Sequence, residues 1–130
     1  MSAGSPDVDY LSTDDLLEIA ATVVPDFVVR DVGLLASAAA RPRTSAFGTD
    51  AYPGFAEKAA ALLHAIARNH ALVDGNKRLA WSATRVFCLL NGRDLVLGVN
   101  EAEALVVGAA AGSLDVPALA ALVAAGLRDA

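Results

Sequence analysis

Most of the reactive side chains that lie close together fall in one nine-residue stretch, HALVDGNKR, running from His70 to Arg78. An imidazole exchanges protons near neutral pH, so His70 is the natural group to take a proton from an attacking hydroxyl. Four residues on, Asp74 supplies a hard oxygen of the kind Mg²⁺ takes when it keeps most of its waters and adds phosphate oxygens to one or two carboxylates. Asp74 and Asn76 both favour a helix start, and Gly75 between them permits backbone conformations that a Cβ opposes. A helix N-terminus carries about half a positive charge and free amide donors, and Lys77 and Arg78 add two full charges beside it. The stretch therefore reads as base, metal ligand and phosphate cradle in one loop. It is not a Walker loop, because Gly-x-x-x-x-Gly-Lys-Ser/Thr and a preceding strand are both missing.

Each feature also has a plainer use. Asp74 can serve only as a helix cap, Lys77 and Arg78 as a solvated first turn, and His70 as a favourable charge at a helix C-terminus. Their coincidence in nine positions favours the chemical reading. His64 is expected to be exposed, and Leu72 and Val73 to anchor the loop in the core.

The neighbouring pattern predicts how the loop is held. Phe55, Ala59, Leu62, Leu63 and Ile66 form the stripe of an amphipathic helix, with Glu57, Lys58, His64 and Arg68 elsewhere around it, and this helix delivers His70 at its C-terminal end. Leu79, Ala83, Val86, Phe87 and Leu90 repeat the pattern in a second helix that starts at the loop and stops at Asn91-Gly92. Upstream, Ser12 with Asp15 opens a helix over about 13–24 that ends at Pro25, and Asp31 caps a short one through VGLLASAAA that stops near Arg41. RPRTSAFGTDAYPG, residues 41–54, reads as a loop. RDLVLGV is too short for more than an isolated strand or connector. Asn100 with Glu103, then Asp115 with Pro117, launch two last helices that end near Gly112 and Gly126. The expected fold is all-α, a compact bundle of about six helices around an apolar central one, in a single domain 1–130 with a loose segment at 1–9.

Composition narrows the function. Apolar residues make up 55 % of the 130-residue chain and charged ones 19 %, which excludes disorder and, with so much alanine, favours close helix packing. A net charge of −5 argues against generic binding to nucleic acid or anionic membranes, so the basic residues act locally. The lone cysteine, Cys88, lies in an apolar helical pattern and is expected to be buried in a reducing compartment. The first residues lack the basic and apolar regions of a signal peptide, and Gly112, Ser113, Asp115 and Pro117 interrupt the greasiest stretch, so a cytoplasmic location without a membrane span is expected.

HALVDGNKR resembles the signature of the Fic/Doc (Fido) superfamily: His, x, Phe, x, Asp or Glu, Gly or Ala, Asn, Gly or Lys, Arg. Lys77, where Fic enzymes have glycine, makes it look like the Doc branch, the toxins of Phd–Doc-type toxin–antitoxin modules. YLSTDDLLEIA, VRDVGLLASAAARP, YPGFAEKAAALLHAIARNH and FCLLNG also look like the family, in the same order. The chain departs from the pattern at Leu72, which replaces phenylalanine, at Ala20, where many relatives have histidine, and at Trp81, which replaces the last arginine of the longer Fic signature.

The resemblance implies a toxin that is a protein kinase, moving the γ-phosphoryl group of ATP to a threonine hydroxyl of elongation factor Tu and arresting translation. In that reading His70 is the general base, Asp74 the Mg²⁺ ligand, and Gly75, Asn76, Lys77 and Arg78 the nucleotide-phosphate site. No Ser or Thr has Glu four residues on, so the inhibitory Ser/Thr-x-x-x-Glu helix of many Fic proteins is missing. Restraint is then expected from a Phd-type antitoxin whose disordered segment folds against the toxin. Two other readings stand beside this one: a Fic-type nucleotidyl transferase, and a catalytically silent antitoxin-binding module.

Overall fold

The computed structural model describes residues 7–130, and the first six residues of the expected loose segment lie outside them. Six α-helices and two small two-stranded sheets make up the regular structure of the described residues, apart from one short 3₁₀ turn. Helix α1 spans Thr13–Val23 and starts on a reciprocal cap, in which Ser12 Oγ accepts from Asp15 N–H and Asp15 Oδ2 accepts from Ser12 N–H. Helix α2 spans Val32–Ala40, with Asp31 Oδ1 accepting from Leu34 N–H at 3.2 Å. Helices α3 (Phe55–Asn69) and α4 (Asn76–Leu90) flank the HALVDGNKR loop. Helix α5 covers Val99–Ala111 and α6 covers Val116–Gly126, the latter capped by Asp115. At the other end of the chain, Asp9 is not loose, because its N–H and C=O both bond the Asn91 side chain.

Helix α3 is the central element. It buries Ala59, Ala60, Ala61, Leu62, Leu63, Ala65, Ile66 and Ala67 and packs against α2, α4, α5 and α6. Its alanines let the surrounding backbones come close, which is the structural use of the alanine-rich composition. Lys58, expected on the outer part of α3, is instead buried, with Nζ 3.1 Å from Asp50 Oδ2. Phe87 of α4 closes the far end of the core, stacked between Phe55 and Tyr10 at centroid distances of 5.1 and 6.1 Å. Cys88 is buried as expected, and burial pushes its thiol up to about 11, so little of it is thiolate at neutral pH.

Four further expectations are corrected here. Residues 41–54 are not an irregular loop, for a 3₁₀ turn at Arg41–Arg43 leads into a hairpin of β1 (Ser45–Ala46) and β2 (Thr49–Asp50). The hairpin turns through Phe47 (φ 54°) and Gly48 (φ 77°), and the Phe47 ring stands fully in solvent. RDLVLGV is not isolated, because β3 (Arg93–Leu95) pairs antiparallel with β4 (Leu127–Asp129). Helix α5 starts at Gly98, whose N–H donates to Glu101 Oε1 at 3.2 Å, and not at Asn100 with Glu103.

His64 is the fourth. It is half-buried on α3, and its Nδ1 is shut away from solvent with no hydrogen-bond partner. Burial first, then the charges of Arg41 and Arg68, lower its pKa below the ordinary 6.5, with Asp115 opposing. The neutral ring is therefore favoured in the fold. The unfolded chain binds the extra proton more readily, so stability present above pH 6.5 is lost as the pH falls below it. Thermal melts between neutral and mildly acid pH should show this decline, and His64→Gln should flatten it. An unchanged slope in that variant would assign the decline to other groups.

Candidate active site

The chain leaves α3 at His70 in a left-handed conformation (φ 52°, ψ 49°), then crosses Ala71 to Gly75 before entering α4. Asn76 ties this crossing together. Its Oδ1 accepts from Leu72 N–H and its Nδ2 donates to Leu72 C=O, both at 2.9 Å, and the side chain is buried. The amide is thus engaged with the loop and is not free to hold a phosphate. What Asn76 can offer an anion is its backbone N–H. The N–H groups of Asn76, Lys77 and Arg78 precede the first closing bond of α4, from Leu79 N–H to Gly75 C=O, so they are helix-terminal donors.

Gly75, with φ 86°, is the N-cap of α4. Asp74 is not that cap. Its Oδ1 accepts from the neighbouring Gly75 N–H at 2.8 Å, and the carboxylate stays exposed. The plainer reading of Asp74 as a helix cap therefore fails. Arg78 has two tasks: it borders the site, and its Nη1 donates to Val23 C=O at 3.2 Å, capping the end of α1. Leu72 is buried at 1 % exposure and bridges Val29 in an antiparallel pair, whereas Val73, also expected in the core, is 65 % exposed. It is turned out because Leu72 takes the inward position and the two side chains of an extended segment point opposite ways.

These residues meet at a cavity of about 900 Å³. One wall is polar, made by His70, Asp74, Gly75, Asn76, Lys77 and Arg78. The other is largely apolar, made by Trp81 of α4 with Leu97 and α5 residues that include Val99, Val106, Val107 and Ala110. Every residue singled out in the sequence for chemistry lines this cavity. The apolar wall, the Trp81 ring included, was not foreseen as part of the site. Periodicity marks such residues only as apolar, and which face of α5 meets the loop is decided by tertiary packing. Ala20, the position that departs from the histidine of many relatives, is fully buried in α1.

The polar wall fits a hydrated cation held through phosphate. Asp74 presents an exposed carboxylate, and among the described residues no three His, Cys, Asp or Glu side chains converge. A protein cage for a metal is therefore not what the loop builds. Asp74 with phosphate oxygens and water would hold Mg²⁺ in the way that ion accepts.

The six-helix scaffold is consistent with the mostly helical fold of the Fic/Doc family. A family model described as Fic/DOC matches residues 10–88, and the chain belongs to that family, whose members are typically enzymes that transfer phosphate or nucleotide groups to proteins. The chain is 45 % identical over 116 residues to the protein named Toxin Doc from Mycolicibacterium smegmatis (strain ATCC 700084 / mc(2)155), covering 87 % of this chain and 89 % of that one. No helix among the described residues is long and apolar enough to cross a membrane.

Proposed function

We propose that this chain is the toxin of a toxin–antitoxin pair and acts in the cytoplasm as a protein kinase, moving the γ-phosphoryl group of ATP to a threonine hydroxyl of elongation factor Tu. The observation that carries the reading is the convergence of His70, Asp74 and the cationic start of α4 on one cavity whose far wall is largely apolar, with Glu103 as its one charged residue. Phosphoryl transfer asks a protein mainly for positioning and for neutralising charge spread over the phosphate oxygens. His70 takes the proton of the threonine hydroxyl as its oxygen bonds to the γ-phosphorus. The bond from that phosphorus to the bridging oxygen breaks, and ADP leaves with the electron pair. Lys77, Arg78 and the N–H groups at the start of α4 hold the phosphate oxygens, and the largely apolar wall receives the nucleobase of ATP. Asp74 would hold Mg²⁺, which when bound would supply further charge neutralisation at the phosphates.

Restraint comes from a Phd-type antitoxin whose segment orders on the toxin and covers the cavity. The 45 % identity to Toxin Doc over most of both chains supports the toxin assignment. The test is the intact mass of elongation factor Tu after incubation with the purified chain, Mg²⁺ and ATP. A gain of one phosphate is expected. A gain of one AMP would move the chain to Fic-type nucleotidyl transfer, and no gain would leave it a binding module silent toward this target.

A further inference from the structure

A helix ends with four carbonyls that have no partner inside it, and they are commonly met by N–H groups just beyond the end. At the end of α3 a side chain from elsewhere does this. Arg30 lies in the connector between α1 and α2, forty residues before His70. Its Nε donates to His70 C=O at 2.9 Å, its Nη2 donates to the same oxygen, and Nη2 also reaches Asn69 C=O at 3.5 Å. A planar guanidinium that grips an oxygen through two N–H groups fixes direction as well as distance.

The backbone beside Arg30 is laced to the loop as well. Arg30 N–H and Asp31 N–H both donate to Ala71 C=O, at 2.7 and 3.1 Å, and Val73 N–H donates to Val28 C=O at 2.9 Å. Asp31 is at the same time the N-cap of α2, and Asn69 Nδ2 donates to Leu34 C=O at 3.3 Å. The brace is therefore itself mounted on a helix. It acts on a residue whose backbone needs support, because a non-glycine residue in the left-handed region persists only where its surroundings impose it.

We propose that Arg30 is a positioning residue: by clamping the His70 carbonyl it holds His70 in its left-handed conformation and so aims the imidazole into the cavity. The proposal rests on the reading of His70 as the base. Arg30 is exposed, and each of its side-chain hydrogen bonds goes to the carbonyl of Asn69 or His70, so its removal acts on this turn and leaves the core untouched.

The test uses Arg30→Ala and Arg30→Lys in the full chain, with two readouts. The first is the amide-to-Hα coupling of His70 by NMR on the protein alone, which reports φ whatever the reaction proves to be. The second is the rate of phosphoryl transfer. In Arg30→Ala the coupling should leave its wild-type value, and kcat should fall on the order of 100-fold, the scale of a misplacement near 1 Å, with KM for ATP little changed. Arg30→Lys should recover part of both, since an ammonium reaches a carbonyl but lacks the fork. A wild-type coupling in Arg30→Ala overturns the proposal, with or without a loss of kcat, and so does a shifted coupling with wild-type kcat. If the wild-type chain transfers no phosphoryl group, the kinase reading fails, and the coupling still decides whether Arg30 holds His70.

Discussion

Replacing His70 by asparagine is expected to slow phosphoryl transfer by about 10²- to 10⁴-fold, the usual contribution of a general base, with the fold intact. Asparagine is the sharper choice than alanine because residue 70 sits at φ 52°, and asparagine tolerates the left-handed region where alanine does not. The substitution thus removes the proton acceptor while keeping the turn that carries it. Single-turnover transfer from γ-labelled ATP isolates the chemical step, and a melt by circular dichroism reports the fold. Nucleotide affinity should change little, since the phosphates are assigned to Lys77, Arg78 and the start of α4. A wild-type rate in His70→Asn would remove the base role from His70 and leave positioning and charge as the whole of the site's contribution.

The sequence made some of this legible and hid the rest for a physical reason. Caps act within a few residues, so Ser12, Asp31 and Asp115 could be read directly, and the helices they start lie where expected. The two long helices were legible because their large apolar residues recur at helical spacing, although the burial of α3 runs nearly all round it and takes in its alanines and Lys58. The displaced start of α5 shows the limit of such reading: Asn100 and Glu103 have the right types, but Gly98 and Glu101 form the start two residues earlier. What stayed hidden is non-local. The pairing of β3 with β4 joins Leu95 to Leu127, and the hairpin at Ser45–Asp50 turns through Phe47-Gly48, which lacks the usual Asn-Gly or Asp-Gly signal.

The same division runs through the site. His70, Asp74, Lys77 and Arg78 are recognisable because their types and spacing carry chemistry, and all of them line the cavity. Spacing could not tell that the Asn76 amide is turned inward onto Leu72, or that Val73 is turned out. Nor could it show that Arg30 closes α3, for nothing in VVRDVG announces a contact forty residues away.

Gly75→Ala is expected to be the most damaging single methyl group in the loop. Gly75 has φ 86°, which costs an alanine about 1–2 kcal/mol in left-handed backbone alone. A Cβ there would also lie 2.6 Å from Val24 Cγ1 and 2.7 Å from Cγ2. Val24 is the residue that ends α1 and is itself buried, so it cannot swing away without opening the core. Overpacking of this kind adds about 1–3 kcal/mol, for a total of roughly 2–5 kcal/mol in a domain whose whole stability is about 5–15 kcal/mol. The expected melt falls by roughly 10 °C or more. The two causes separate in a double-mutant cycle with Val24→Ala, which makes room for the methyl group but does nothing for φ. Gly75→Ala should cost about 1–3 kcal/mol less in that background, and strict additivity would show that the backbone alone is responsible. Chemistry should suffer beyond stability, because Asp74 and the terminal N–H groups of α4 flank the residue that would have to move. At a temperature where the variant is still folded, transfer should remain slow, and Val24→Ala should recover it only in part.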